Sequence, residues 1–166
     1  MFRRTLACAL VASFLTVVGF VGPAAQAGPT TQSTTCHARL LLVLQPGLLN
    51  GPESPQQIHW SGRLRHCVGG GVTGAKVVRR INGGTANCTQ GLLDTFFTLK
   101  WNTGERSKIG GQVELSTGQW DGSVMSGKFA SEGVSALVRF TFLNGNCADS
   151  GNPVTRVRVT TRSFSI

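Results

Sequence analysis

Residues 97–115, FTLKWNTGERSKIGGQVEL, decide the fold class. Successive side chains of a strand point to opposite faces, so Phe97, Leu99 and Trp101 share one face while Thr98 and Lys100 take the other. Asn102-Thr103-Gly104 supplies turn formers, with Gly104 free to adopt positive φ. Ile109, Val113 and Leu115 resume the apolar face, and Gly110-Gly111 reads as a bulge on the return strand. The stretch is a β-hairpin.

The same alternation extends outward in both directions. HARLLLVL (37–44) is an apolar run stopped by Pro46-Gly47. QIHWSGRLRHCV (57–68) places Ile58, Trp60 and Leu64 on one side and His59, Ser61, Arg63 and Arg65 on the other. GAKVVRRI (74–81), LDTFFTLKW (93–101), VSALVRFTFL (134–143) and VTRVRVTTRSFSI (154–166) are short and rich in β-branched or aromatic residues. No segment has the period of an amphipathic helix. Strand-like runs broken by Gly, Asn, Asp and Pro predict an all-β protein, an antiparallel β-sandwich or barrel of about 8 strands. The 22 glycines suit its many turns.

The first residues carry a different message. Arg3 and Arg4 precede an apolar run from Leu6 to Val21, and Ala25-Gln26-Ala27 offers a small-x-small cleavage site. Residues 1–27 therefore read as a signal peptide, too short in its apolar part for a membrane span of about 20 residues. Once it is processed, no transmembrane span is expected. Residues 28–35, GPTTQSTT, have nothing to bury and read as a flexible leader. Residues 36–166 then form a single β-domain, exported and either extracellular or associated with the cell wall. Removing 27 of the 166 residues takes Arg3 and Arg4 away and leaves 14 basic against 7 acidic side chains.

Four cysteines remain, Cys36, Cys67, Cys88 and Cys147. An even number in an exported chain reads as two disulfides, and their spacing is unlike a zinc site. Three pairings are possible. Cys36 precedes the first strand and Cys67 ends the next, so antiparallel pairing sets them side by side. This favours Cys36–Cys67 and leaves Cys88–Cys147.

The signal peptide, the four cysteines, Pro46-Gly47-Leu48, WNTGERS (101–107) and GSVMSGKF (122–129) together give the chain a recognisable layout. It resembles a group of small, secreted, β-rich actinobacterial proteins of unknown function. The resemblance implies an exported β-domain and carries over no catalytic residue.

Two glycine-rich matches lack the context they need. Gly122 to Lys128 has the spacing of a phosphate-binding loop, but Phe129 stands where a magnesium-binding Ser or Thr belongs and no helix pattern follows. It reads as a turn between strands. Gly69 to Gly74 matches a dinucleotide fingerprint with Asp94 downstream, yet Gly83-Gly84 interrupts any crossover helix. No nucleotide and no cofactor are expected. His37, His59 and His66 lack metal-ligand spacing, and no metal site is expected either.

Three function classes remain. The first is a non-catalytic β-domain that binds anionic or saccharide polymers of the cell envelope through a basic face. Its candidate residues are Arg63 and Arg65 on one strand, and Arg156, Arg158 and Arg162 on the last, where Val157 and Val159 take the other side. Arg79 and Arg80 add a third basic point. Stripes of this kind attract phosphate or carboxylate polymers if the fold makes them neighbours. Trp120 lies among Gly118, Gln119, Asp121 and Gly122, so partial exposure and a role in recognition are expected of it, whereas Trp60 and Trp101 are expected in the core. The second class is a secreted hydrolase, with His59 or His66 joined to Asp94 or Asp121, or with Glu114 and Asp121 acting on a glycoside. The third is an interaction or inhibitor module presenting the loop NGPESPQQ (50–57).

Overall fold

The structure, a computed structural model, describes residues 33–78, 81–148 and 151–166. The signal peptide, residues 28–32 of the leader, and Arg79 and Arg80 lie outside the described residues.

Every described element is a strand. In chain order they are β1 (Thr34–Leu48), β2 (Ser54–Pro55), β3 (Gln57–Gly69), β4 (Gly74–Val78), β5 (Ile81–Asn82), β6 (Gly84–Ala86) and β7 (Gly91–Asp94). There follow β8 (Phe97–Trp101), β9 (Arg106–Glu114), β10 (Gln119–Gly127), β11 (Gly133–Leu137), β12 (Arg139–Phe142) and β13 (Val154–Ser165).

The short pieces are fragments of longer staves. β7 and β8 face β9 in one uninterrupted register, from Leu92↔Glu114 through Asp94↔Gln112 to Phe97↔Ile109. β11 and β12 both lie along β13, and β2 with β3 runs beside β4, β5 and β6. Eight staves result, all antiparallel and each beside its neighbour in sequence, and β13 returns to pair with β1. The architecture is thus a closed meander barrel, which leaves no long open edge for another strand to pair with.

The hairpin at 97–115 forms as its alternation requires. Phe97, Leu99 and Trp101 are buried, Lys100 is exposed, and Lys100 pairs with Arg106 across the turn. The expected bulge at Gly110-Gly111 is absent, because β9 keeps an unbroken register past both residues against β10. The glycines serve close approach instead. A Cβ on Gly111 would lie 2.3 Å from the carbonyl oxygen of Asp121, so β9 and β10 come together here only because no side chain intervenes. Gly62 plays the matching part on β3, with φ of 136° and only 2.4 Å between a hypothetical Cβ and the Arg39 carbonyl.

The interior is filled with side chains. Trp120 packs against Trp60, Phe97 and Phe164 with ring centroids 5.1 to 5.7 Å apart, in the tilted and edge-on arrangements that aromatic quadrupoles prefer. Leu40, Leu42 and Leu44 of β1, together with Val157 and Val159 of β13, complete the packing on the other side. Phe129 packs half-buried against this core, its ring meeting Trp101 edge-on at 5.2 Å.

The loop carrying Phe129 is pinned by Lys128, whose Nζ lies 2.8 Å from the Glu105 carboxylate. Donation from Lys128, then from the Thr103 hydroxyl, holds the Glu105 carboxyl below its usual 4.5. A depressed folded value means that the stabilisation is fully present above 4.5 and is lost as pH falls through the lowered value. The stability advantage of the protein over Glu105→Gln is therefore expected to hold above 4.5 and to shrink as pH falls below it, as read by thermal unfolding at each pH.

Both expected disulfides are present, Cys36–Cys67 and Cys88–Cys147. The first ties two staves already paired along their length. The second joins the β6–β7 turn to the connection before β13, so it clamps loops that the ladder does not hold. Its partners are 59 residues apart, for which the chain-entropy argument gives about 4 kcal/mol. Replacing Cys88 and Cys147 by serine is expected to lower the urea midpoint accordingly, and an unchanged midpoint would contradict it.

Two boundaries differ from expectation. Thr34 and Thr35 belong to β1 and not to a flexible leader, since Thr34 is buried and exchanges backbone hydrogen bonds with Ile166. Residues 122–127 are strand β10, so the glycine-rich match precedes the turn instead of forming it.

Candidate basic binding site

The outward positions of five successive staves carry a row of cations. Arg39 on β1 pairs with Arg63 on β3, Arg63 with Lys76 on β4, Lys76 with Lys100 on β8, and Lys100 with Arg106 on β9. All five are exposed; Arg39, Lys76 and Lys100 each stand between inward apolar neighbours, and Arg63 and Arg106 are each followed by a buried residue, Leu64 and Ser107. Neighbouring strands are about 4.8 Å apart, so the belt extends roughly 19 Å across the wall.

Like charges placed directly opposite one another destabilise a sheet, each pair by up to about 1 kcal/mol. A stability-driven surface would intersperse acids. Among the described residues the ion pair present is Lys128–Glu105, and no carboxylate lies within ion-pair distance of a belt cation. The belt is an uncompensated linear field.

Beside it lies a recess of about 520 Å³ lined by Arg39, Arg63, Arg65, Arg156 and Arg158. The β1 register explains the convergence. Leu41 and Val43 of β1 stand opposite Arg158 and Arg156, while Arg39 and His37 stand opposite Arg63 and Arg65. The two arginine stripes foreseen in the sequence thus become neighbours through β1.

Arg162 does not join them. A register shift between Cys36 and Ala38 against β13 separates it from the alternation of Arg156 and Arg158. It is exposed beside Arg139, Thr160 and Thr161 around a different recess.

Trp120 is a correction. It is 0% exposed, and its indole N–H donates to the Thr95 hydroxyl at 3.1 Å. Gly118, with φ of 74°, completes the turn one residue early, so β10 begins at Gln119 and Trp120 already points inward. The shared parity of Trp120, Gly122 and Val124 was the available sign. Trp60 and Trp101 are buried as expected. Arg39, Lys76, Lys100 and Arg106 were missed as site residues, because only the register makes them a row.

The carboxylates named for the hydrolase arrangements accept from amide and hydroxyl donors. Asp94 accepts from Gln112, and Asp121 accepts from Gln119. Glu114 accepts from Ser116 and Thr117, which hold its carboxyl below the usual range. A glycosidase acid needs the opposite shift. The rings of His37 and His66 meet edge-on at 5.4 Å. Among the described residues, no three His, Cys, Asp or Glu side chains gather as a metal-ligand set. The loop at 50–57 is tied down, with Ser54-Pro55 paired to β6 and Gln56 buried and bonded to both backbone groups of Gly47.

Fold and site together define a disulfide-bonded, closed antiparallel barrel with a basic outer belt. Comparison with known proteins returns no matching family model, no similar curated protein and no similar solved structure. The two disulfides are consistent with an extracellular location, and no helix among the described residues is long and apolar enough to cross a membrane.

Proposed function

We propose that this is a secreted, non-catalytic β-barrel that binds an anionic polymer of the cell envelope along the belt Arg39–Arg63–Lys76–Lys100–Arg106 and the adjoining arginine recess. The observation that carries the reading is the direct pairing of five cations without a compensating carboxylate. A row this long matches a linear chain of phosphates or carboxylates better than a single small anion, which one or two arginines would hold. The packed interior favours a ligand on the wall over one inside the barrel.

Binding releases condensed counterions, so affinity falls with salt. With the coefficient for single-stranded nucleic acids, neutralising the five belt cations corresponds to a slope of log K against log salt of about −3.5. Titration of inorganic polyphosphate and dextran sulfate, with neutral dextran as control, measures it. Equal binding to the neutral polymer, or affinity indifferent to salt, would overturn the proposal.

A further inference from the structure

The wall opposite the arginine recess carries its complement. The recess is centred on β1, between β13 and β3, and β9 lies four staves away in a closed ring of eight. On the outer face of β7, β9 and β10, with Phe96 between β7 and β8, there is a groove of about 580 Å³. Leu92, Phe96 and Met125 leave 43%, 42% and 62% of their surface exposed around it. Gly110 is its floor, since a Cβ there would meet Met125 Sδ at 2.5 Å and the Phe96 ring at 2.9 Å. Asp94, Glu114 and Asp121 rim the groove, so three of the chain's seven acidic residues gather here in a protein with 16 basic ones.

We infer that this groove docks on the arginine recess of a second copy of the chain. The charge signs are complementary, and the recess adds apolar surface of its own from Leu41 and Leu143. Two different patches meet, so the contact is heterologous. The patches lie on opposite walls, so a copy engaged through one keeps the other free. Growth is therefore open-ended, and the result is a row of barrels and not a closed dimer. Arg39 and Arg63 belong both to the belt and to the recess, so a bound polyanion competes with the next copy and disperses the row.

Sedimentation velocity at low salt tests this on two variants. The groove variant is Asp94→Asn/Glu114→Gln/Asp121→Asn, and the recess variant is Arg63→Gln/Arg156→Gln/Arg158→Gln. The unmodified protein is expected to give species that grow with concentration, and each variant alone a monomer. An equal mixture of the two should stop at a dimer, because one supplies the intact recess and the other the intact groove. Met125→Lys, which places a cation in the groove without removing a hydrogen bond, should also give a monomer and guards against misfolding of the triple variant. A wild-type monomer up to about 100 µM, or a discrete dimer that none of these variants alters, would overturn the inference. The groove variant leaves the belt intact, so its polyphosphate binding is expected to survive. Loss of polymer binding in the unmodified protein with assembly preserved would sink only the proposed function.

Discussion

Replacing Arg63, Lys76 and Lys100 together by glutamine is expected to weaken polyphosphate binding roughly 100-fold at low salt while making the protein more stable. The two effects have one cause. Each cation near an anionic surface contributes about 1 kcal/mol, so three removed together cost about 3 kcal/mol of binding. The same substitutions abolish every like-charge pairing in the row, from Arg39–Arg63 to Lys100–Arg106. Relief of that repulsion is worth about 1 kcal/mol in total, less as salt screens it. Titration with polyphosphate and urea unfolding of the same sample read the two quantities. Arg162→Gln removes the same charge outside the belt and is expected to matter less than Lys76→Gln. Loss of stability in the triple variant, or equal effects of the two single substitutions, would mean that the row is ordinary solvated surface.

The second large effect lies in the core. Trp120→Ala is expected to destabilise the barrel by about 4 kcal/mol, because it empties the centre of the cluster formed by Trp60, Phe97 and Phe164. The Thr95 hydroxyl, in a residue that is itself 0% exposed, loses its donor, which adds about 1 kcal/mol or more. Domains of this size hold about 5–15 kcal/mol in all, so the variant should be close to unfolding at ambient temperature. Trp120→Phe keeps most of the packing and should lose less. Urea titration of both measures the difference. A Trp120→Ala protein as stable as the parent but defective in binding would return Trp120 to the recognition surface, where its turn-like neighbours first suggested it belonged.

Much of the barrel could be read in advance because its signals are local. Alternation in 57–68 and 97–101 fixes which side chains turn inward, whatever lies beyond them, since the pleat repeats every two residues. The cysteine pairing was accessible for a related reason. Adjacent antiparallel strands put the start of one beside the end of the next, and Cys36 and Cys67 occupy those places. Errors arose where one residue's backbone conformation decided a side chain's face. Gly118 turns the chain a residue early and buries Trp120, and the absence of side chains at Gly111 and Gly122 brings strands together without breaking the ladder.

The sequence by itself determined an all-β, disulfide-bonded chain with an excess of positive charge and with most of its arginines facing out. Periodicity, turn residues and cysteine number are properties of neighbouring positions, and each has a direct physical consequence. Only the tertiary structure decided that the sheet closes, that the stripes of β3 and β13 meet across β1, and that Arg39, Arg63, Lys76, Lys100 and Arg106 form one row. Those residues are brought together by the register of four separate strand pairings. A shift of one residue in any of them would turn the following staves over and scatter the charges, and no local pattern specifies all four at once.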